Sequence, residues 1–72
     1  MPVFSDRLKE LRNNKGVTQK TMSEHLGITE QAYAKYEYAL RDPSRENLIK
    51  LADYFDVSAD YLLGRSDNPA RN

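Results

Sequence analysis

Apolar and polar positions divide the chain into five short segments with helical spacing. Phe4, Leu8 and Leu11 recur at i, i+4 and i+7, which places them on one helix face. Leu48, Leu51, Ala52 and Phe55 form a second such stripe. A further pattern occurs four times: an apolar residue or proline, then Ser or Thr, then an apolar residue four positions beyond the hydroxyl. Its instances are Val17-Thr18 with Met22, Ile28-Thr29 with Tyr33, Pro43-Ser44 with Leu48, and Val57-Ser58 with Leu62. A hydroxyl cap satisfies a free N–H of the first turn, and the flanking apolar pair fixes the angle at which the chain enters the helix. Helices are therefore predicted to start near 18, 29, 44 and 58. Ser5 or Asp6 is the expected cap of the first helix. Asn13, Asn14 and Gly16 are expected to stop the first helix and Gly27 the second. Asp42-Pro43 bars the third from continuing, and Gly64 ends a short fifth helix over residues 59–63. No stretch alternates with period two, so the predicted class is all-α, with five helices and no strand.

Seventy-two residues suffice for one small domain. Its expected extent is residues 1–64, with residues 65–72 a polar tail that frays or begins a linker. Without cysteine and with one histidine, neither a disulfide nor a Cys/His zinc site is expected, and no cofactor or metal. His25 reads as a half-exposed surface residue. Asp56, Ser58 and Asp60 lie close together, but Ser58 already has a role as a cap, and no Gly-rich phosphate loop exists; enzyme activity is not expected. No apolar run is long enough for a membrane span or a signal peptide, so a cytoplasmic, nucleoid-associated protein is expected. Eleven basic residues balance eleven acidic ones, which by itself argues against nucleic acid. The distribution is uneven. Residues 1–45 carry eight Lys/Arg and six Asp/Glu, and residues 46–72 carry three and five. Lys20, Lys35, Arg41 and Arg45 gather around the third segment, while Asp53, Asp56 and Asp60 belong to an expected acidic back.

The stretch from Thr18 to Glu37 holds two short helices meeting at Gly27 through about three residues, as in a helix-turn-helix. Ser23 would lie at the crossing, where a small side chain permits close approach. Glu30, Gln31, Ala34 and Lys35 would point outward, and such a face fits a major groove about 12 Å wide. Spacing alone also allows a plain helical hairpin within a small bundle.

The wider sequence resembles the lambdoid-phage repressor and Cro family, the Xre-type helix-turn-helix regulators. The matching pieces are RLKELR at 7–12, TQ at 18–19, HLGIT at 25–29, KYE at 35–37, DPS at 42–44, LIKLAD at 48–53 and DVSADYLLG at 56–64. Together they cover roughly residues 4–64, and their order and spacing carry the likeness. The resemblance implies a compact five-helix, lambda-repressor-like DNA-binding domain. It further implies a homodimer on a palindromic double-stranded DNA operator, with half-sites about 34 Å apart.

Carried over by position, Glu30, Gln31 and Lys35 are the base-reading candidates. Gln31 suits adenine, Lys35 guanine and Glu30 cytosine N4. Glu30 has an equal claim as a first-turn acid favoured by the helix dipole. Thr18, Gln19, Lys20, Tyr38, Arg41 and Arg45 are candidates for the DNA backbone. The resemblance implies an Arg12–Glu37 ion pair within the scaffold, and a dimer contact through Tyr54, Val57, Tyr61 and Leu63. Tyr38-Ala39-Leu40 departs from the family's usual Asn-Gly followed by a polar residue. Either the third helix runs on for part of a turn, or the loop takes another path. Tyr38 would then offer its hydroxyl to phosphate or pack over Leu40.

The expected function is sequence-specific DNA binding by a transcriptional regulator, a repressor acting by operator occupancy through residues 29–38. Glu30, Leu40 and zero net charge keep a second reading open: a protein-interaction module of antitoxin or antirepressor type. The polar tail allows a third, the DNA-binding part of a longer repressor.

Overall fold

Hydroxyl side chains open four of the five helices. The computed structural model describes residues 2–71 and contains α1 (Pro2–Lys15), α2 (Gln19–Leu26), α3 (Glu30–Glu37), α4 (Arg45–Phe55) and α5 (Ala59–Leu63), with no strand among the described residues. Met1 and Asn72, the outermost residues of the expected domain and tail, lie outside that range. Thr18, Thr29, Ser44 and Ser58 sit in extended backbone before α2 to α5. Each Oγ accepts the N–H three residues on, from Thr21, Ala32, Asn47 and Tyr61, at 3.0–3.1 Å. The first helix departs from expectation. It starts at Pro2, so Ser5 and Asp6 lie inside it, and Ser5 is buried. A proline is tolerated at a helix's first position because the N–H it lacks would have no partner there. The helix also runs through Asn13 and Asn14 to close only at Gly16.

All five helices end in the same way. A residue with positive φ follows the last turn, and the next N–H reaches back five residues to a carbonyl oxygen, the Schellman closure. The bonds are Val17 to Arg12 (3.4 Å), Ile28 to Ser23 (3.0 Å), Leu40 to Lys35 (2.9 Å), Val57 to Ala52 (3.0 Å) and Arg65 to Asp60 (2.8 Å). The left-handed residues are Gly16, Gly27, Ala39, Asp56 and Gly64. At Gly64 (φ 80°) there is a second reason for glycine, since a Cβ would stand 2.7 Å from Val3 Cγ1. Aspartate adopts this conformation with local side-chain help, but alanine does so at a cost of roughly 1–2 kcal/mol.

Ala39 (φ 60°) therefore corrects the expectation that the chain would avoid a left-handed residue after the third helix. A left-handed closure is made, with a residue poorly suited to it. Ala39→Gly should raise stability by about 0.5–1 kcal/mol. This is the relief of strain less the roughly 0.4–1 kcal/mol by which glycine loosens the unfolded chain. The check is a higher urea midpoint at unchanged slope; a lower midpoint would mean that the Ala39 methyl group makes contacts worth more than the strain.

Phe4, Leu8, Met22, Leu26, Tyr33, Leu51 and Leu62 form the centre of the core. The third helix packs on α1 and α2, while α5 packs on α1 and α4. The buried Ser23 lies in α2 beside its junction with α3. Residues 65–71 are hydrogen-bonded to the helical part of the chain. The Ser58 N–H donates to the Pro69 carbonyl (3.0 Å), and Arg71 Nη2 donates to Asp53 Oδ1 (2.5 Å). Arg7 holds the same segment from α1. Its Nη1 donates to the carbonyls of Tyr61 (2.5 Å) and Ser66 (2.7 Å), and its Nη2 to Asp67 Oδ1 (2.7 Å). The expected acidic back is thereby moderated, because Arg71 pairs with Asp53 and lies 3.7 Å from Asp56.

Candidate nucleic-acid interface

The outward face of α3 follows from what its inward face buries. Tyr33, Tyr36 and Glu37 are buried, so Glu30, Gln31 and Lys35 are left exposed on the other side. Ala34, between them, is half-buried. The entry of α3 is set by Gly27 and by the Thr29 cap, and its inner side is held by a polar network centred on Glu37.

That network is bidentate. Arg12 Nε donates to Glu37 Oε2 at 2.6 Å and Nη2 to Oε1 at 3.1 Å. The Tyr33 hydroxyl donates to Oε2 at 2.5 Å, and Gln19 Nε2 to Oε1 at 3.2 Å. Arg12 Nη1 also reaches the Val17 carbonyl at 3.0 Å. Side-chain exposure is 1% for Glu37 and 16% for Arg12. Burial pushes the Glu37 carboxyl up. Hydrogen bonds from Arg12, Tyr33 and Gln19, with the Arg12 charge, outweigh it and hold the group below its ordinary range. Burial and the bond to Glu37 raise the Tyr33 phenol. The Glu37 hydrogen bond raises Arg12, against a smaller effect of burial. Helices α1, α2 and α3 are thus tied at one carboxylate.

Gln19 is half-buried and is the first residue of α2. Its side-chain amide donates one of its two N–H groups to Glu37. The hydroxyl oxygen of Thr18 is likewise engaged as the cap of α2, although Thr18 is exposed. Lys20 is exposed on the first turn of α2. Arg41 is exposed in the loop after α3, and Arg45 is the exposed first residue of α4. Tyr38 and Leu40 are both exposed, at 60% and 71%. The Schellman turn at Ala39 carries both side chains outward beside the polar face of α3.

The four residues expected at a dimer contact are not one free patch. Val57 is only 5% exposed and belongs to the core of the chain itself, so it has no surface to contribute. The half-buried ring of Tyr54 lies 4.7 Å from that of His25, with Lys15 Nζ 4.9 Å from its centroid. Tyr61 lies under the Arg7 guanidinium, 4.2 Å away. Lys15 and Arg7 stand eight residues apart on α1, about 12 Å along its axis, so the two tyrosines cover different parts of it. Leu63 is half-buried. His25 itself is exposed. No helix among the described residues is long and apolar enough to cross a membrane.

Comparison with known proteins points the same way as the geometry. A family model described as helix-turn-helix matches residues 8–62. The chain is 44% identical over 66 residues to an uncharacterised HTH-type transcriptional regulator, YqaE, of Bacillus subtilis (strain 168); this covers 92% of the chain and 57% of the relative. It is 40% identical over 62 residues to the cryptic phage CTXphi transcriptional repressor RstR of Vibrio cholerae, covering 86% of the chain and 55% of the relative. The chain thus spans little more than half the length of these curated relatives. The crystal structure of the P22 c2 repressor protein in complex with a synthetic operator superposes with a TM-score of 0.79 at 24% identity. The match covers 86% of this chain and 94% of that one, and at this identity it shows a shared fold.

Proposed function

Because the chain belongs to the helix-turn-helix family HTH_3, which is not an enzyme class, we propose that it binds double-stranded DNA as a sequence-specific transcriptional repressor. Operator occupancy, without catalysis, is the proposed mode of action. The observation that carries this reading is the exposed face of α3, where Glu30, Gln31 and Lys35 stand clear of a helix whose opposite side is buried and bonded to α1 and α2. In this reading α3 enters the major groove. Gln31 pairs with adenine and Lys35 with guanine, while Glu30 accepts from cytosine or serves its own helix terminus. Lys20, Tyr38, Arg41 and Arg45 meet phosphates. Thr18 and Gln19 join them at the N-terminus of α2, where one of the two Gln19 amide N–H groups is already given to Glu37. Arg12 and Glu37 are scaffold.

Residues 1–64 form the DNA-binding unit in this reading, and residues 65–72 the tail that closes on it. Two copies bind a palindromic site, with Tyr54, Tyr61 and Leu63 as the residues nearest their contact. The protein works in the cytoplasm at the nucleoid. The names of YqaE and RstR as transcriptional regulator and repressor support the reading as a DNA-binding repressor.

A specific observation favours a second reading. Tyr38 and Leu40 expose apolar surface beside α3, which suits a protein partner such as a toxin or an antirepressor. One titration separates the two. A DNA-binding regulator shows log K for duplex falling linearly with log salt, at about 0.9 per phosphate neutralised. The phosphate-facing cations of each copy, Lys20, Arg41 and Arg45, predict a slope near 3 per subunit bound. Absent or salt-insensitive binding would remove the DNA reading.

A further inference from the structure

The third and fourth helices both pack on α2, and each has a further neighbour of its own, α1 for α3 and α5 for α4. Between them, residues 41–44 have no regular secondary structure. A direct hydrogen bond nevertheless joins the two helices: Asn47 Nδ2 donates to the Tyr36 hydroxyl at 3.1 Å. Tyr36 is 5% exposed and lies on the buried side of α3, opposite its outward polar face. Its hydroxyl is therefore a fixed point. Asn47 lies in the first turn of α4, and its backbone N–H is already committed to the Ser44 Oγ cap at 3.1 Å. Both ends of Asn47 are thus engaged, one to the cap of α4 and one to α3. Arg45, the first residue of α4, lies in this doubly anchored turn.

We infer that Asn47, through the Tyr36 hydroxyl, is a positioning residue that sets the distance between the outward face of α3 and Arg45, so that base reading and phosphate contact occur in one register on the duplex. This rests on the DNA-binding reading above. Neither Tyr36 nor Asn47 touches DNA in it. The bond transmits the placement of α3 to the cation on α4, so its loss releases Arg45 from a phosphate without removing any charge.

Tyr36→Phe keeps the ring in the core and deletes only the hydroxyl. The probe is a duplex selected by the wild-type protein from a random pool, titrated at several salt concentrations. The expected result is a folded variant with affinity about five- to tenfold lower and a salt slope shallower by close to 0.9 per subunit. In a double-mutant cycle Arg45→Ala, which lowers the slope of the wild type, adds little to Tyr36→Phe, whereas the effect of Lys20→Ala persists in full. A purely structural role for the bond would lower the melting temperature and leave the slope alone. Asn47→Ala removes the same bond from its more exposed end and must give the same slope change, which keeps the test available if Tyr36→Phe unfolds. An unchanged slope in both variants, with Arg45→Ala fully additive, overturns the inference while leaving DNA binding intact. Failure of the wild-type protein to select or bind any duplex overturns both.

Discussion

Arg12→Ala is expected to remove about 3–5 kcal/mol of stability, because it leaves a carboxylate that is 1% exposed without its charge partner. Native stability runs at roughly 0.05–0.15 kcal/mol per residue, so a chain of this length has about 4–11 kcal/mol in all. The variant is therefore expected to melt about 12 °C lower at the least, at about 4–8 °C per kcal/mol for a domain of this size. Its pH dependence distinguishes this cause from simple loss of packing. In the wild type the carboxyl of Glu37 is held below its ordinary value. It contributes stability that is complete above the unfolded value near 4.3 and is lost as pH falls through the lower folded value. Without Arg12, burial becomes the dominant influence and raises the folded pKa above the unfolded one. Protonation then favours the folded state, and the deficit of the variant should narrow as pH falls from 7 toward about 5. Urea midpoints of both proteins across that range provide the check. Parallel curves would show that the loss comes from packing and not from a stranded charge.

The largest functional effect is expected from Gln31→Ala. Gln31 is exposed and lies one residue into α3, so truncation disturbs neither the Glu37 network nor the Thr29 cap. A bidentate glutamine–adenine pair is worth about 1–3 kcal/mol of discrimination. In a symmetric pair of half-sites the loss counts twice, about 2–6 kcal/mol, or thirtyfold at the least. Sequences selected from a random pool should lose their preference at one position in each half-site, while affinity for non-cognate duplex stays as it was. Arg41→Ala should do the reverse, weakening all sequences alike and lowering the salt slope. A uniform loss with Gln31→Ala would place that side chain on phosphate instead of a base.

The parts of this molecule legible in the chain are those decided within one helical turn. Thr18, Thr29, Ser44 and Ser58 cap helices because each hydroxyl reaches an N–H three residues away, a relation contained in four consecutive letters. Gly16, Gly27 and Gly64 mark helix ends because glycine is the residue least penalised at positive φ. Asp56 and Ala39 perform the same closure unannounced, since aspartate is only an occasional left-handed residue and alanine a rare one. Arg7 gave no signal either. Its partners are mainly backbone carbonyls more than fifty residues away, which any residue could supply. The outward set of Glu30, Gln31 and Lys35 was legible from spacing once α3 was granted. The inward turn of the Gln19 amide was not, because it depends on where Glu37 comes to rest.

Local sequence thus determined the five helices, four of their starts, three of their stops and the polar side of α3, since capping, left-handed turns and the 3.6-residue period act over a few neighbouring residues. Tertiary structure alone decided that Glu37 would gather Arg12, Tyr33 and Gln19, and that Val57 would be used up in the core. It alone decided that residues 65–71 would fold back onto Asp53 and Ser58, and that Asn47 would join α4 to α3. These outcomes pair groups distant in sequence. Which polar group finds a partner out of water depends on how whole helices pack, and no short window of the chain contains that information.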